Sequence, residues 1–180
     1  SLWRWNTSAQ FNRQLRDNDV ISSQRWRAGR LQTGPRIDRS YFAQYDVASQ
    51  QSNALGNLES VSGNFAWTWR NFDSLPFPSR GWGLGLELGS GVSLGAVSQP
   101  YVRWLAKGLS FWPLGSNSGR LAVRASMGSV VSQDTRYLPT TQLFLTGGDN
   151  TVRGYALNSI GVDLGQGQIG AGRYLSTGSV

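Results

Sequence analysis

The segment Val61-Ser62-Gly63-Asn64-Phe65-Ala66-Trp67-Thr68-Trp69-Arg70 alternates residue by residue between two chemistries. Val61, Gly63, Phe65, Trp67 and Trp69 share one parity, and Ser62, Asn64, Ala66, Thr68 and Arg70 share the other. Successive side chains of a strand point to opposite faces, so a period of two marks a strand with one apolar and one polar face. The pattern recurs on both sides of this segment. Trp3, Trp5, Thr7, Ala9 and Phe11 oppose Arg4, Asn6, Ser8, Gln10 and Asn12. Tyr41, Ala43, Tyr45 and Val47 oppose Phe42, Gln44, Asp46 and Ala48. Trp82, Leu84, Leu86 and Leu88 alternate with Gly83, Gly85, Glu87 and Gly89, and Leu121, Val123, Ala125 and Met127 with Ala122, Arg124, Ser126 and Gly128. Two stretches are less regular. The apolar face of 20–31 is weak, and 101–112 reads as a strand that changes phase near Gly108.

This predicts seven strands at about 2–15, 20–31, 37–49, 59–72, 82–90, 100–113 and 119–132, with an eighth beginning near Gly172 and running to Val180. The connections are rich in turn formers: Arg16-Asp17-Asn18-Asp19, Thr33-Gly34-Pro35, Gln51 to Asn57, Asp73 to Arg80 and Gly115 to Gly119. Short connections imply an antiparallel meander, all-β, with no helix needed.

A soluble sandwich would alternate too, so the aromatic residues have to decide. Consecutive antiparallel strands run in opposite directions. The start of strand one, the end of strand two and the start of strand three therefore lie at one edge. On the predicted boundaries, Trp3, Trp5, Trp26, Trp67, Trp69, Trp82 and Trp112 all fall toward that edge, and Trp104 is the exception among the 8 Trp. A soluble core has no reason to sort tryptophan by end, whereas a membrane barrel gathers it in an interfacial girdle. Ten residues at about 3.3 Å each, tilted near 45°, also span roughly the 25 Å apolar band of an outer-membrane barrel. No apolar run approaches the length of a membrane-spanning helix. No basic segment followed by an apolar one opens the chain, so a leader is expected to have been removed or to lie outside it.

The remaining composition is mainly exclusionary. With 0 Cys and 0 His among 180 residues, thiol nucleophiles, Ser-His-Asp catalysis and most zinc sites are excluded. The 10 acidic residues show no paired spacing for acid–base or metal chemistry. The expectation is a protein that is not an enzyme, with no catalytic residues, no metal and no cofactor. The net charge of +7 admits a nucleic-acid partner, but also arginines lining a lumen or facing lipid phosphates. Nucleic-acid binding is expected to place arginine and aromatic residues on one face, and here they mostly occupy opposite ones, as at Trp69 and Arg70. No nucleic acid is expected. The run Gly165-Gln166-Gly167-Gln168-Ile169-Gly170 matches a dinucleotide fingerprint in form only, since no buried strand precedes it and no helix follows.

Two motifs carry a family resemblance. Leu138 to Tyr155 reads LPTTQLFLTGGDNTVRGY, with Gly147, Gly148 and Asp149 ahead of Val152-Arg153-Gly154-Tyr155, and Phe77-Pro78-Ser79-Arg80-Gly81 stands upstream. Gly172-Arg173-Tyr174-Leu175 and Gly178-Ser179-Val180 follow. Together these resemble the barrel of the BamA–TamA superfamily of outer-membrane assembly and translocation proteins (bacterial surface antigen barrels), closest to the TamA branch. The resemblance implies that residues 1–180 are part of a larger transmembrane barrel, with POTRA domains before it and a lateral seam elsewhere in the whole protein. It implies a Gram-negative outer-membrane location and a long extracellular loop at about 131–170 that folds back into the lumen. The Trp-rich rim is then periplasmic.

Arginine suits the tip of such a loop because its rigid fork of donors can hold a carboxylate bidentately. The glycines permit close approach to the wall, and Tyr155 can wedge a ring while keeping its hydroxyl bonded. In the resembled family the acidic partner lies on a later strand. Within this chain Glu87 and Asp46, both on predicted lumen faces, are the candidate partners of Arg153. For Glu87 an ordinary solvated wall position is the competing reading.

The function expected from the resemblance is insertion or secretion of β-rich clients such as autotransporters. The expected partners are unfolded outer-membrane client proteins, a TamB-like periplasmic protein, membrane lipids and lipopolysaccharide. The alternatives are a two-partner secretion pore exporting an extended substrate, or a passive diffusion channel.

Overall fold

Each alternating segment forms a strand in the computed structural model, which describes residues 2–16, 19–50, 56–95, 97–115, 119–148, 152–156, 158–165 and 168–180. The strands are β1 (Trp3–Arg16), β2 (Asp19–Thr33), β3 (Ile37–Gln50), β4 (Asn57–Phe72), β5 (Gly81–Leu94), β6 (Pro100–Pro113), β7 (Arg120–Ser132), β8 (Val162–Gly165), β9 (Gln168–Gly170) and β10 (Tyr174–Ser179). Eight of them make one antiparallel sheet in the order β1-β2-β3-β4-β5-β6-β7-β10, while β8 and β9 pair with each other. The fold is an all-β antiparallel sheet of barrel type. Among the described residues no helix is long and apolar enough to cross a membrane. Two short 3-10 turns, Thr135–Tyr137 and Thr140–Gln142, are the helical elements of this region.

Register fixes the faces, because residues directly opposite one another share a side of the sheet. Trp5, Arg30, Tyr41, Phe65, Leu88, Trp104, Ser129 and Tyr174 form one continuous row across eight strands. Their side is the outer face. The long connection 133–173 lies on the other side, the inner face, where Tyr101, Leu105 and Val130 are buried beneath its Leu138 and Phe144. On the outer face the charged strand positions are Arg13, Arg30, Arg39 and Glu59. The inner face carries Arg4, Arg25, Arg27, Asp38, Asp46, Arg70, Glu87, Arg103, Lys107, Arg120 and Arg124. This is the division expected of a wall with lipid on one side and water on the other.

Two expectations need correction. Strand β6 keeps one phase throughout: Val102, Trp104, Ala106, Gly108, Ser110 and Trp112 face out, and Tyr101, Arg103, Leu105, Lys107, Leu109 and Phe111 face in. The alternation is blurred because its inner positions are apolar as well, where the connection covers them. Trp26 is not at the rim. Strand β2 runs from Asp19 to Thr33, which puts Trp26 at its midpoint, edge-on to Phe11 with ring centroids 5.4 Å apart. The other six, Trp3, Trp5, Trp67, Trp69, Trp82 and Trp112, lie within the last few residues of their strands at the rim away from the long connection. Trp69 packs on Trp82 at 4.7 Å and Trp3 on Tyr41 at 5.1 Å. Of the expected turns, Asp17-Asn18, residues 51–55 and residues 116–118 lie outside the described residues.

Candidate functional site

The connection leaves β7 at Ser132 and attaches to the sheet at once. Leu138, 1% exposed, and Phe144, 6% exposed, pack on Tyr101, Leu105 and Val130. Gly128 makes room for this: a Cβ there would stand 2.7 Å from the Phe144 ring. The guanidinium of Arg103 lies 4.8 Å from the centroid of the same ring, a cation–π contact inside the barrel wall.

Beside this apolar contact sits a polar one. Asp46 is fully buried, with 0% exposure. Its Oδ1 accepts from Arg25 Nε at 2.7 Å, and its Oδ2 accepts from the Gln142 side-chain amide at 2.6 Å and from the Gln44 amide. Arg25 Nη2 also donates to the Thr141 carbonyl at 2.7 Å, and Arg27 Nε to Gln44 Oε1 at 2.7 Å. One carboxylate therefore ties β2, β3 and the connection together. A buried charge is tolerable only when paired and hydrogen-bonded, and Asp46 has three donors. The hairpin register accounts for half of this: Arg25 stands directly opposite Asp46, and Arg27 opposite Gln44. Gln142 arrives from 96 residues away in sequence.

From this base the connection continues as an irregular ladder. Phe144 bridges Gly172, Thr146 bridges Ile160 and Gly148 bridges Val152. Gly147, Gly148 and Gly154 all have positive φ, at 116°, 95° and 86°. At Gly147 the backbone is close as well, since a Cβ would meet the Ala156 carbonyl oxygen at 2.4 Å. The tip reaches far down the inner face: Val152 and Arg153 line a cleft of about 300 Å³ with Leu109, Phe111, Ala122 and Arg124. These wall residues belong to the halves of β6 and β7 nearest the Trp-rich rim. Arg153, Gly154 and Tyr155 are exposed, Tyr155 at 59%. Asp149 lies outside the described residues.

Neither candidate acid meets Arg153. Asp46 is committed to Arg25, Gln44 and Gln142. Glu87 faces inward, as expected, but its carboxylate lies 3.5 Å from Arg103 Nη1 and 3.9 Å from Lys107 Nζ. Both cations are on the neighbouring strand β6 and so compete for Glu87 at much shorter range. Among the described residues Arg153 has no ion pair. The sequence reading assigned the attachment to the motif and missed Gln142, Leu138 and Phe144. The Arg25–Asp46 pair was readable from the hairpin centred on Gly34-Pro35, but no sequence signal marks Gln142 as its third member. No group of three or more metal-ligating side chains occurs among the described residues.

The remaining motif, Phe77 to Gly81, forms the turn from β4 to β5 at the Trp-rich rim. Asp73 accepts from Ser74 N at 2.9 Å, Ser79 N at 3.1 Å and Ser79 Oγ at 2.9 Å, and Arg120 reaches the Pro78 carbonyl.

Compared with known protein families, residues 3–180 match the Omp85 superfamily domain. No curated protein gives a match to the chain.

Proposed function

The chain belongs to the Omp85 superfamily, and from that premise we propose that it forms the barrel portion of an outer-membrane protein assembly and translocation factor. The superfamily is one of outer-membrane insertion and secretion proteins. Its TamA branch is the reading we favour, on the Val152-Arg153-Gly154-Tyr155 and Phe77 to Gly81 motifs. Its clients are then unfolded β-rich outer-membrane proteins, autotransporters among them, and its partners a TamB-like periplasmic protein, phospholipid and lipopolysaccharide. No cofactor and no covalent chemistry enter this reading.

The observation that carries it is the connection held against the inner face. Fastened there by a buried carboxylate, the loop occupies lumen that a wide passive channel uses for flow. An assembly factor gains from it, because a wall stiffened on one side by a docked loop can present edges and a lumen of defined shape to a client. The apolar band between the rims supplies the membrane contact such a factor needs.

The test is insertion by the full-length protein reconstituted in phospholipid vesicles. An unfolded autotransporter barrel is added, and its conversion to a protease-protected, heat-modifiable form is followed. A several-fold acceleration over empty vesicles is expected. Delivery of an extended substrate into the vesicle lumen without insertion would instead identify a secretion pore. Steady conductance with neither outcome would identify a diffusion channel.

A further inference from the structure

Two arginines stand on the face of the sheet that turns away from the connection. Arg30 lies directly opposite Tyr41 and Trp5, and Arg39 directly opposite Gln32 and Trp67. Because Gln32 follows Arg30 by two residues on the same face, the arginines are diagonal cross-strand neighbours, about 7 Å apart. Rings surround them. The Arg30 guanidinium lies 5.5 Å from the Trp5 ring centroid, and Trp3 packs on Tyr41 beside it. Neither arginine forms an ion pair with a carboxylate among the described residues. The acid nearest in sequence, Asp38, faces inward and is engaged by Arg70 at 2.7 Å and by the Gly34 amide at 3.2 Å. The Nε of Arg30 is buried without a hydrogen-bond partner.

On the lipid side of a barrel an uncompensated guanidinium is costly, and two adjacent ones are worse. At the level of an aromatic girdle the available counter-charge is a lipid headgroup. We propose that Arg30 and Arg39, floored by Trp3, Trp5, Tyr41 and Trp67, form a binding site for the phosphate of an anionic phospholipid. Two rigid forks grip one phosphate through several charge-assisted hydrogen bonds. The rings sit at the boundary between headgroup and acyl chain, where their apolar bodies meet the first methylenes. The rings commit the site to a lipid rather than to a free anion. Arg13, on the same face near the other rim, lies far along β1 from this group and serves as its control. The inference rests on the sheet spanning an outer membrane and is independent of which client the protein serves.

The experiment uses the full-length protein, delipidated in detergent, titrated with dihexanoyl phosphatidylglycerol and read by native mass spectrometry. The R30Q/R39Q variant is expected to bind it about tenfold more weakly, given roughly the effect of one basic side chain per headgroup contact. R13Q is expected to bind as the parent does, and dihexanoyl phosphatidylcholine and inorganic phosphate are expected to compete poorly. Heat-modifiable migration shows that each variant retains its barrel, and R39Q alone, expected to lose several-fold, replaces the double variant if that one fails to fold. Equal binding by R30Q/R39Q, equal loss in R13Q, or equal affinity for phosphatidylcholine or inorganic phosphate would overturn the site. An unchanged insertion rate in a variant that has lost lipid binding separates this site from the assembly reading.

Discussion

The base and the tip of the long connection are held by opposite kinds of contact. At the base, Leu138, Phe144 and Gln142 are nearly inaccessible to water, and each touches a different feature of the wall. At the tip, Arg153, Gly154 and Tyr155 are exposed, and Arg153 lines a cleft that Arg124 also lines. The tip bears the recognisable motif and the base bears the attachment. A signature tetrapeptide thus need not be what keeps its loop in place: the buried contacts with the wall are made at the base. Among the described residues no carboxylate pairs with Arg153.

The comparison breaks most directly at Asp46. Asp46→Ala strips the counter-charge from Arg25 and a hydrogen-bond acceptor from Gln142 in a buried place, which costs about 3–5 kcal/mol. Limited proteolysis of the refolded protein should show the loop cut many times faster, and parental resistance would mean that the base is held otherwise. Phe144→Ala comes next, removing the ring from between Gly128, Leu105 and Arg103, at about 3 kcal/mol. Denaturant unfolding of the loop-attached state, followed by the same proteolysis, measures it. Gln142→Ala removes one charge-assisted bond at about 2 kcal/mol and leaves the Arg25–Asp46 pair intact. Its loop release should therefore fall between those of Asp46→Ala and the parent.

Arg153→Ala is expected to change loop retention by no more than about 0.5 kcal/mol, the ordinary effect of an exposed substitution. Release as complete as in Asp46→Ala would invert the comparison. The smallest effect lies at the β4–β5 turn, outside both regions. Backbone donation linked to Arg80, with further bonds from Ser79 and Ser74, holds the Asp73 carboxyl below its ordinary value. A depressed folded-state value gives stability that is present above the unfolded value and lost as pH falls through the folded one. Protection of the Ser74 and Ser79 amides, taken relative to the intrinsic exchange rate at each pH, should fall below about pH 4, and Asp73→Asn should show the lower protection already at neutral pH with no acid step.

What could be read in advance divides along a physical line. Parity of side chains is local, so the faces of β1, β3, β4, β5 and β7 follow from their own residues. Where a strand is covered on both sides, parity loses its contrast. Tyr101, Leu105, Leu109 and Phe111 make the inner side of β6 as apolar as its outer side, and a false phase change results. Strand ends are set by hairpin closure rather than by pattern, which is why Trp26 reads as a rim residue and stands at mid-strand. Asp46 is legible as an inward carboxylate, but its partner is not. The nearest cation in register, Arg25 on the adjoining strand, takes precedence over a distant loop arginine, as Arg103 and Lys107 do for Glu87.

The amino-acid sequence by itself determined the antiparallel meander, the sidedness of its strands, the girdle of aromatic rings and the family, because each of these rests on periodicity or on contiguous motifs. Only the tertiary structure decided what fastens the connection, because that depends on side chains nearly a hundred residues apart meeting where water is excluded. Burial turns the amide of Gln142 from one polar side chain among many into a partner that Asp46 needs. No local pattern records that.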